Sequence, residues 1–166
     1  MYVNIIISSI IALIAVILLA EDRIRRARER KHSMSFMEGL DLTGFPIVTM
    51  MNNGMKLNFV LDTGSVHSLI NQSVISDLDY KNTSYVVTIS GIDNASREDE
   101  KTVRMKLLYK DKVTEGMFVV TDLSGVFDTV KKETGVQLHG LLGSEFFKEN
   151  KYIIDYKEMV AYSKKI

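Results

Sequence analysis

From Ile5 to Ala20 the chain is Ile, Leu, Val and Ala, interrupted only by Ser8 and Ser9, and no charge precedes Glu21. As a helix rising about 1.5 Å per residue, a run apolar on every side and about 30 Å long matches the hydrocarbon core of a bilayer. The pattern predicts a transmembrane helix over 1–20. A cleaved signal peptide is the poorer reading, because Met1-Tyr2-Val3-Asn4 lacks a positive side chain and Leu18-Leu19-Ala20 lacks the small-x-small cleavage pattern. Arg23, Arg25, Arg26, Arg28, Arg30 and Lys31 follow at once, so the positive-inside rule puts the body on the cytoplasmic side. The stretch 21–35 reads as a basic juxtamembrane linker whose first part can continue as helix at the headgroups, and 36–166 as the body.

Within the body the apolar spacing shortens to that of strands. Phe45–Met51 is apolar and partly β-branched, Asn52-Asn53-Gly54 supplies a tight turn, and Met55–Leu61 alternates before becoming wholly apolar. Asn71–Leu78 is at most a short helix. Tyr85–Ser90 and Lys101–Tyr109 form an antiparallel pair around a polar tip, and Lys110-Asp111-Lys112 turns into a strand through Met117–Val120. Ser124–Gly135 reads as a loop or irregular helix, Ser144–Asn150 as a capped short helix, and Tyr152–Tyr156 with Met159–Ser163 as a terminal hairpin. So many short strands predict a mostly-β barrel or sandwich.

Composition narrows the chemistry. A chain of 166 residues with 21 Lys+Arg against 21 Asp+Glu suits one compact domain and gives no electrostatic footprint for nucleic acid. Six of the basic and three of the acidic residues fall in 1–32, which leaves the body with 15 basic and 18 acidic. Absence of Cys excludes disulfides, thiolate catalysis and sulfur-bound zinc, and three scattered His offer no metal site, so no metal or cofactor is expected.

Asp62 is the residue that draws chemical interest. It follows Phe59-Val60-Leu61, so its carboxylate emerges where an apolar strand ends, with Thr63 and Gly64 providing a sharp turn. Ionising a carboxyl beside an apolar core is costly unless compensated. By itself the tripeptide means either a turn cap or a carboxyl kept for use. His67 and His139 read as loop or surface residues, and Asp79 and Asp155 as solvated or capping ones.

The combination Asp62-Thr63-Gly64-Ser65, then Leu69-Ile70, then Gly140-Leu141-Leu142-Gly143 and a helix from Ser144-Glu145-Phe146-Phe147, resembles the retropepsin-like aspartic proteases over about Phe45 to Tyr156. The resemblance implies a small closed β-barrel with one or two short helices, and an active site at a two-fold homodimer interface. It implies that Asp62 is the catalytic acid/base and that Thr63 bonds across the dimer. Gly64 would permit the turn, Ser65 would bond the carboxylate from outside, and Gly140, Leu141, Leu142 and Gly143 would pack beneath the loop. The tip of the 85–109 hairpin, with Gly91, Ile92 and Asp93, would be a flap over an extended peptide or protein substrate. A copy count supports the dimer independently: Asp-Thr-Gly occurs once, while this chemistry needs two carboxylates. The expectation is a membrane-anchored aspartic endopeptidase. The rival is a non-catalytic peptide-binding or assembly module of the same fold at the membrane.

Overall fold

This computed structural model describes residues 2–31, 33–90 and 96–163, with side chains placed for 7, 10–24, 33–87 and 101–163. Helix α1 (Tyr2–Lys31) runs for 30 residues, continuing past Glu21 into the stretch read as a juxtamembrane linker. Among the described residues no helix is long and apolar enough to cross a membrane. The transmembrane expectation over 1–20 is therefore not supported by the described part of α1.

The body is a closed six-strand barrel. Its strands are β2 (Ile47–Asn52), β3 (Met55–Leu61), β4 (Ser68–Asn71), β6 (Ser96–Tyr109), β7 (Lys112–Thr121) and β8 (Gly140–Leu142), in the order β2-β3-β8-β4-β7-β6. The ring closes through Met51 opposite Leu108, and β5 (Lys81–Ser90) hangs on the outer side of β6. Two pairings are parallel, β3 with β8 and β4 with β7.

Local chemistry explains the hairpins. Asn53 and Gly54 both take left-handed backbone, φ 47° and 78°, the two-residue connection that matches strand twist. Asn52 staples this turn to its neighbours: its amide donates to the Asp79 and Lys106 carbonyls at 2.9 and 3.0 Å, and its oxygen accepts the Asp79 N–H at 2.7 Å. In β3 the inward residues Leu57, Phe59 and Leu61 alternate with Lys56, Asn58 and Val60, and β6 does the same with Val103, Met105 and Leu107. These side chains, with Val48, Met50, Ile70, Phe118 and Leu142, fill the barrel.

Two features depart from the sequence reading. Ser124–Thr134 is a regular helix, α3, closed by Gly135 in left-handed conformation at φ 77°. It buries Phe127 and Val130 against Ile47 and Leu138 on the outside of the barrel. Short helix α2 (Met37–Thr43) buries no residue fully and has no counterpart in the pattern. The stretch Asn71–Leu78 is a 3₁₀ turn over Gln72–Asp77.

A second, three-stranded sheet, β1-β10-β9, joins Met34–Ser35, Val160–Ser163 and Tyr152–Asp155. Met34 and Ser35, inside the stretch read as linker, pair with Ala161 and Val160; Met34 and Phe36 are both fully buried. Aromatic rings tie this sheet to the barrel. Phe59 meets Phe118 at 5.8 Å, Phe118 meets Phe146 at 6.4 Å, and Phe146 stacks on Tyr152 at 5.9 Å. The Tyr152 hydroxyl is buried without a hydrogen-bond partner among the described residues, and burial, with Tyr109 nearby, pushes it up to about 12.

Candidate active site

Asp62 leaves the barrel at the end of β3, where β3 runs parallel to β8 with Val60 beside Leu141 and Leu61 beside Leu142. The Asp62 N–H continues this ladder, donating to the Leu142 carbonyl at 2.9 Å. The carboxylate is half-buried; its Oδ1 accepts the Gly64 N–H at 3.0 Å, and among the described residues its other oxygen has no partner. Thr63, Gly64 and Val66 lie exposed around it. The acidic group is thus presented outward on a short loop.

That loop is pinned from behind by helix α4 (Ser144–Glu149). The Ser144 N–H donates to the Ser65 carbonyl at 2.8 Å and the Glu145 N–H to the Val66 carbonyl at 3.1 Å. The Gly143 N–H donates to Ser68 Oγ at 3.0 Å. Gly143 passes so close that a Cβ there would sit 2.4 Å from the His67 carbonyl oxygen, and at Gly140 it would sit 2.3 Å from that of Leu69. Leu142 is fully buried beneath the loop, and Leu141 is half-buried against Leu69, Val87 and Val119. Gly140–Gly143 therefore pass directly behind the loop, and the two glycines are there for close approach.

Two expected roles change. Gly64 does not use left-handed backbone; what a side chain would crowd is Asp62 Oδ1, 3.2 Å from a Cβ at that position. Ser65 does not bond the carboxylate. Its Oγ donates to the His67 carbonyl at 2.8 Å, because the loop curls back over its own backbone. The flap residues Gly91, Ile92 and Asp93 lie outside the described residues; the arms below them, β5 and β6, pair antiparallel with register shifts between Asn82 and Val86 and between Val87 and Ile89.

Both histidines do more than the sequence reading assigned. The His67 imidazole, one-quarter exposed, places Nδ1 2.9 Å from Glu145 Oε2. His139 Nδ1 accepts the Asn58 N–H at 3.0 Å while the His139 backbone N–H donates to the Asn58 carbonyl at 2.9 Å. With Asn58 Nδ2 donating to Gln137 at 2.8 Å, these bonds set the β3–β8 register that delivers Asp62 opposite Gly143. No local signal marks either pairing, since the partners stand 78 and 81 positions apart. Asp155 caps its turn, accepting the Lys157 and Glu158 N–H groups at 3.0 and 3.2 Å. Among the described residues no group of three or more acidic or His side chains could hold a metal.

Burial lowers the His139 imidazole below its ordinary 6.5. The neutral form is the one the fold accommodates, so the unfolded chain takes up the proton first as pH falls. The stability His139 supplies is thus whole above 6.5 and is lost as pH drops below it. In thermal melts between about pH 5 and 8, the advantage of wild type over His139→Gln should shrink on the acid side. A constant difference would contradict this.

The family model described as Aspartyl protease matches residues 48–146, more than half of the chain and inclusive of both Asp62 and Gly143. A search of curated proteins returns no match. Among solved structures, EIAV protease complexed with the inhibitor HBY-793 is similar at 19% identity and a TM-score of 0.46, covering 63% of this chain and 86% of that one. A retropepsin-like aspartic protease from Rickettsia conorii is similar at 16% identity and 0.46, covering 78% and 87%. The retroviral protease-like domain of Ddi1 from Leishmania major is similar at 11% and 0.43, covering 72% and 88%.

Proposed function

The chain belongs to the aspartyl protease family, and from that premise we propose that it is a membrane-anchored, homodimeric aspartic endopeptidase of retropepsin type. One observation carries the reading: each chain presents a single half-buried Asp62 carboxylate outward on a loop pinned by backbone hydrogen bonds, with the exposed Thr63 beside it. A second copy facing the first would complete the pair, and Thr63 would bond across that interface.

Two carboxyls at close range do not both ionise easily, so they share one proton; the aspartic-protease dyad is a standard instance of this. The ionised Asp62 takes a proton from a bound water, whose oxygen attacks the scissile carbonyl carbon. The protonated Asp62 of the partner donates to the carbonyl oxygen, giving a tetrahedral diol. Collapse breaks the C–N bond as the carboxyl proton passes to the leaving nitrogen and a diol hydroxyl gives its proton to the other, ionised carboxylate, which restores the shared-proton pair. No covalent intermediate with the protein forms. The β5–β6 hairpin is the candidate flap, closing over an extended peptide in the manner of an added strand.

Mixing tests the shared site. With wild type and Asp62→Asn chains combined in equal amounts and allowed to re-pair, cleavage should fall to about a quarter of that of wild type at the same total chain concentration, since only wild-type pairs carry a working dyad. A fall to only a half would mean that each chain acts alone. Peptide affinity without any turnover in wild type would favour the binding-module reading.

The anchor rests on the apolar run Ile5–Ala20 and on exposure of its placed residues, with Ile11, Val16 and Leu19 each more than 60% open to solvent. The basic flank Arg23–Lys31 would then keep the body cytoplasmic. Confinement to a surface raises the effective concentration of copies and favours pairing. The full chain should stay with membranes through high-salt and alkaline washes; release by either would refute an integral anchor. Any cut that frees an intact body must fall before Met34, because Met34 and Phe36 are buried and tied to the terminal sheet.

A further inference from the structure

We propose that His67 and Glu145 form a latch that positions Asp62, an inference whose catalytic meaning rests on the peptidase reading above. Most of the ties between the 62–68 loop and the elements behind it are made by backbone groups or small hydroxyls. The exception is the 2.9 Å contact between the His67 imidazole and the Glu145 carboxylate. Glu145 grips the loop twice in succession, through its own N–H to the Val66 carbonyl at 3.1 Å and through its side chain to His67.

His67 is itself held at several points. Its carbonyl accepts the Ser65 hydroxyl at 2.8 Å, and the Gly143 backbone packs against it. Ser65 in turn donates its N–H to the Asp62 carbonyl at 3.3 Å and offers its carbonyl to the Ser144 N–H. The path from the carboxylate of Glu145 to the backbone of Asp62 is therefore a short series of named bonds, His67 to Ser65 to Asp62. Exposed side-chain contacts between polar groups are often energetically idle. This hydrogen bond is half-buried, with His67 at 25% and Glu145 at 44% exposure, and its partners are already in register through backbone bonds, so little side-chain freedom remains to be lost. Neither residue lies among the Asp62–Ser65 or Gly140–Gly143 groups; both act through the loop as positioning residues.

Amide hydrogen exchange on the full chain tests the latch whether or not the protein cleaves peptides. In His67→Ala and in Glu145→Ala, exchange at the Ser144, Ser65 and Gly64 amides should speed at least about tenfold, while the Leu57 and Phe59 amides of β3 stay protected as a control on folding. The double variant should be no worse than either single one, and Glu145→Gln, which keeps an acceptor, should recover part of the protection. Unchanged exchange at the loop amides, or additive losses in the double variant, would overturn the latch. Where Asp62-dependent cleavage is present, kcat should drop about tenfold or more with KM nearly constant; a rise in KM alone would place the pair in substrate contact and overturn the positioning role. Absence of any Asp62-dependent cleavage would defeat the peptidase reading, and the exchange result would still decide the latch.

Discussion

Peptide hydrolysis by the Asp62→Asn chain should be lower than wild type by about a thousandfold or more, with the fold left intact. An amide neither accepts the proton of an attacking water nor donates a carboxyl proton to the scissile carbonyl. General acid–base catalysis alone is worth about 10²–10⁴ in rate, and in a symmetric pair one substitution removes both roles. Stability is a separate matter. The carboxylate makes one bond within its chain, accepting the Gly64 N–H at 3.0 Å, and an Asn Oδ1 keeps it. The melting temperature should therefore shift by no more than about 2 °C, since surface-type substitutions that keep their bonds lie within about 0.5 kcal/mol. Turnover of a mixed peptide pool, read beside a thermal melt, separates the two effects. Residual activity of a few per cent in a well-folded variant would exclude the dyad.

What could be read from the sequence follows how far each residue's partner lies along the chain. The Asn53-Gly54 and Lys110-Asp111 turns, and the strands they join, rest on neighbours a few positions away, and those elements appear close to where the pattern puts them. The position of Gly140–Gly143 behind Asp62 was expected only from the family resemblance, since the four residues by themselves are a weak signal. The misreadings have distant partners. Phe127 and Val130 mark α3 as a helix only by what they face, Ile47 and Leu138; on its own, Ser124–Gly135 is polar enough to pass for a loop. Ser65 seemed free to meet the carboxylate until the loop's curl brought the His67 carbonyl to its hydroxyl. His139 looked superficial because nothing nearby in sequence announces the Asn58 backbone as its partner. The barrel's closure has the same character. A single residue pair, Met51 with Leu108, completes the ring, and no periodicity encodes it.

Gly143→Ala should disable the protein more thoroughly than its one added methyl suggests. The new Cβ would lie 2.4 Å from the His67 carbonyl oxygen, 2.5 Å from its carbon and 2.8 Å from the Val66 carbonyl oxygen. All three are backbone atoms, so no side-chain rotamer relieves the clash, and either the 65–68 loop or α4 must move. Overpacking that side chains can absorb costs about 1–3 kcal/mol; with backbone on every side, the upper end of that range or beyond is expected. Gly140→Ala meets the Leu69 carbonyl oxygen at 2.3 Å and the Phe59 ring at 2.8 Å, and should lose stability comparably. The two differ in what they disturb. Gly140 lies within the β3–β8–β4 ladder, so its loss falls mainly on the barrel. Gly143 borders the loop that carries Asp62, so its variant should have lost cleavage even at temperatures where most molecules remain folded. Gly125→Ala is the natural control, because nothing lies within 4 Å of a Cβ there and alanine favours the helix by up to about 1 kcal/mol. Melting curves and initial rates on the three variants would show whether loop position and barrel stability separate in this way. Equal activity per folded molecule in Gly143→Ala and wild type would mean that the loop tolerates displacement, and that Asp62 does not depend on the backing of Gly143.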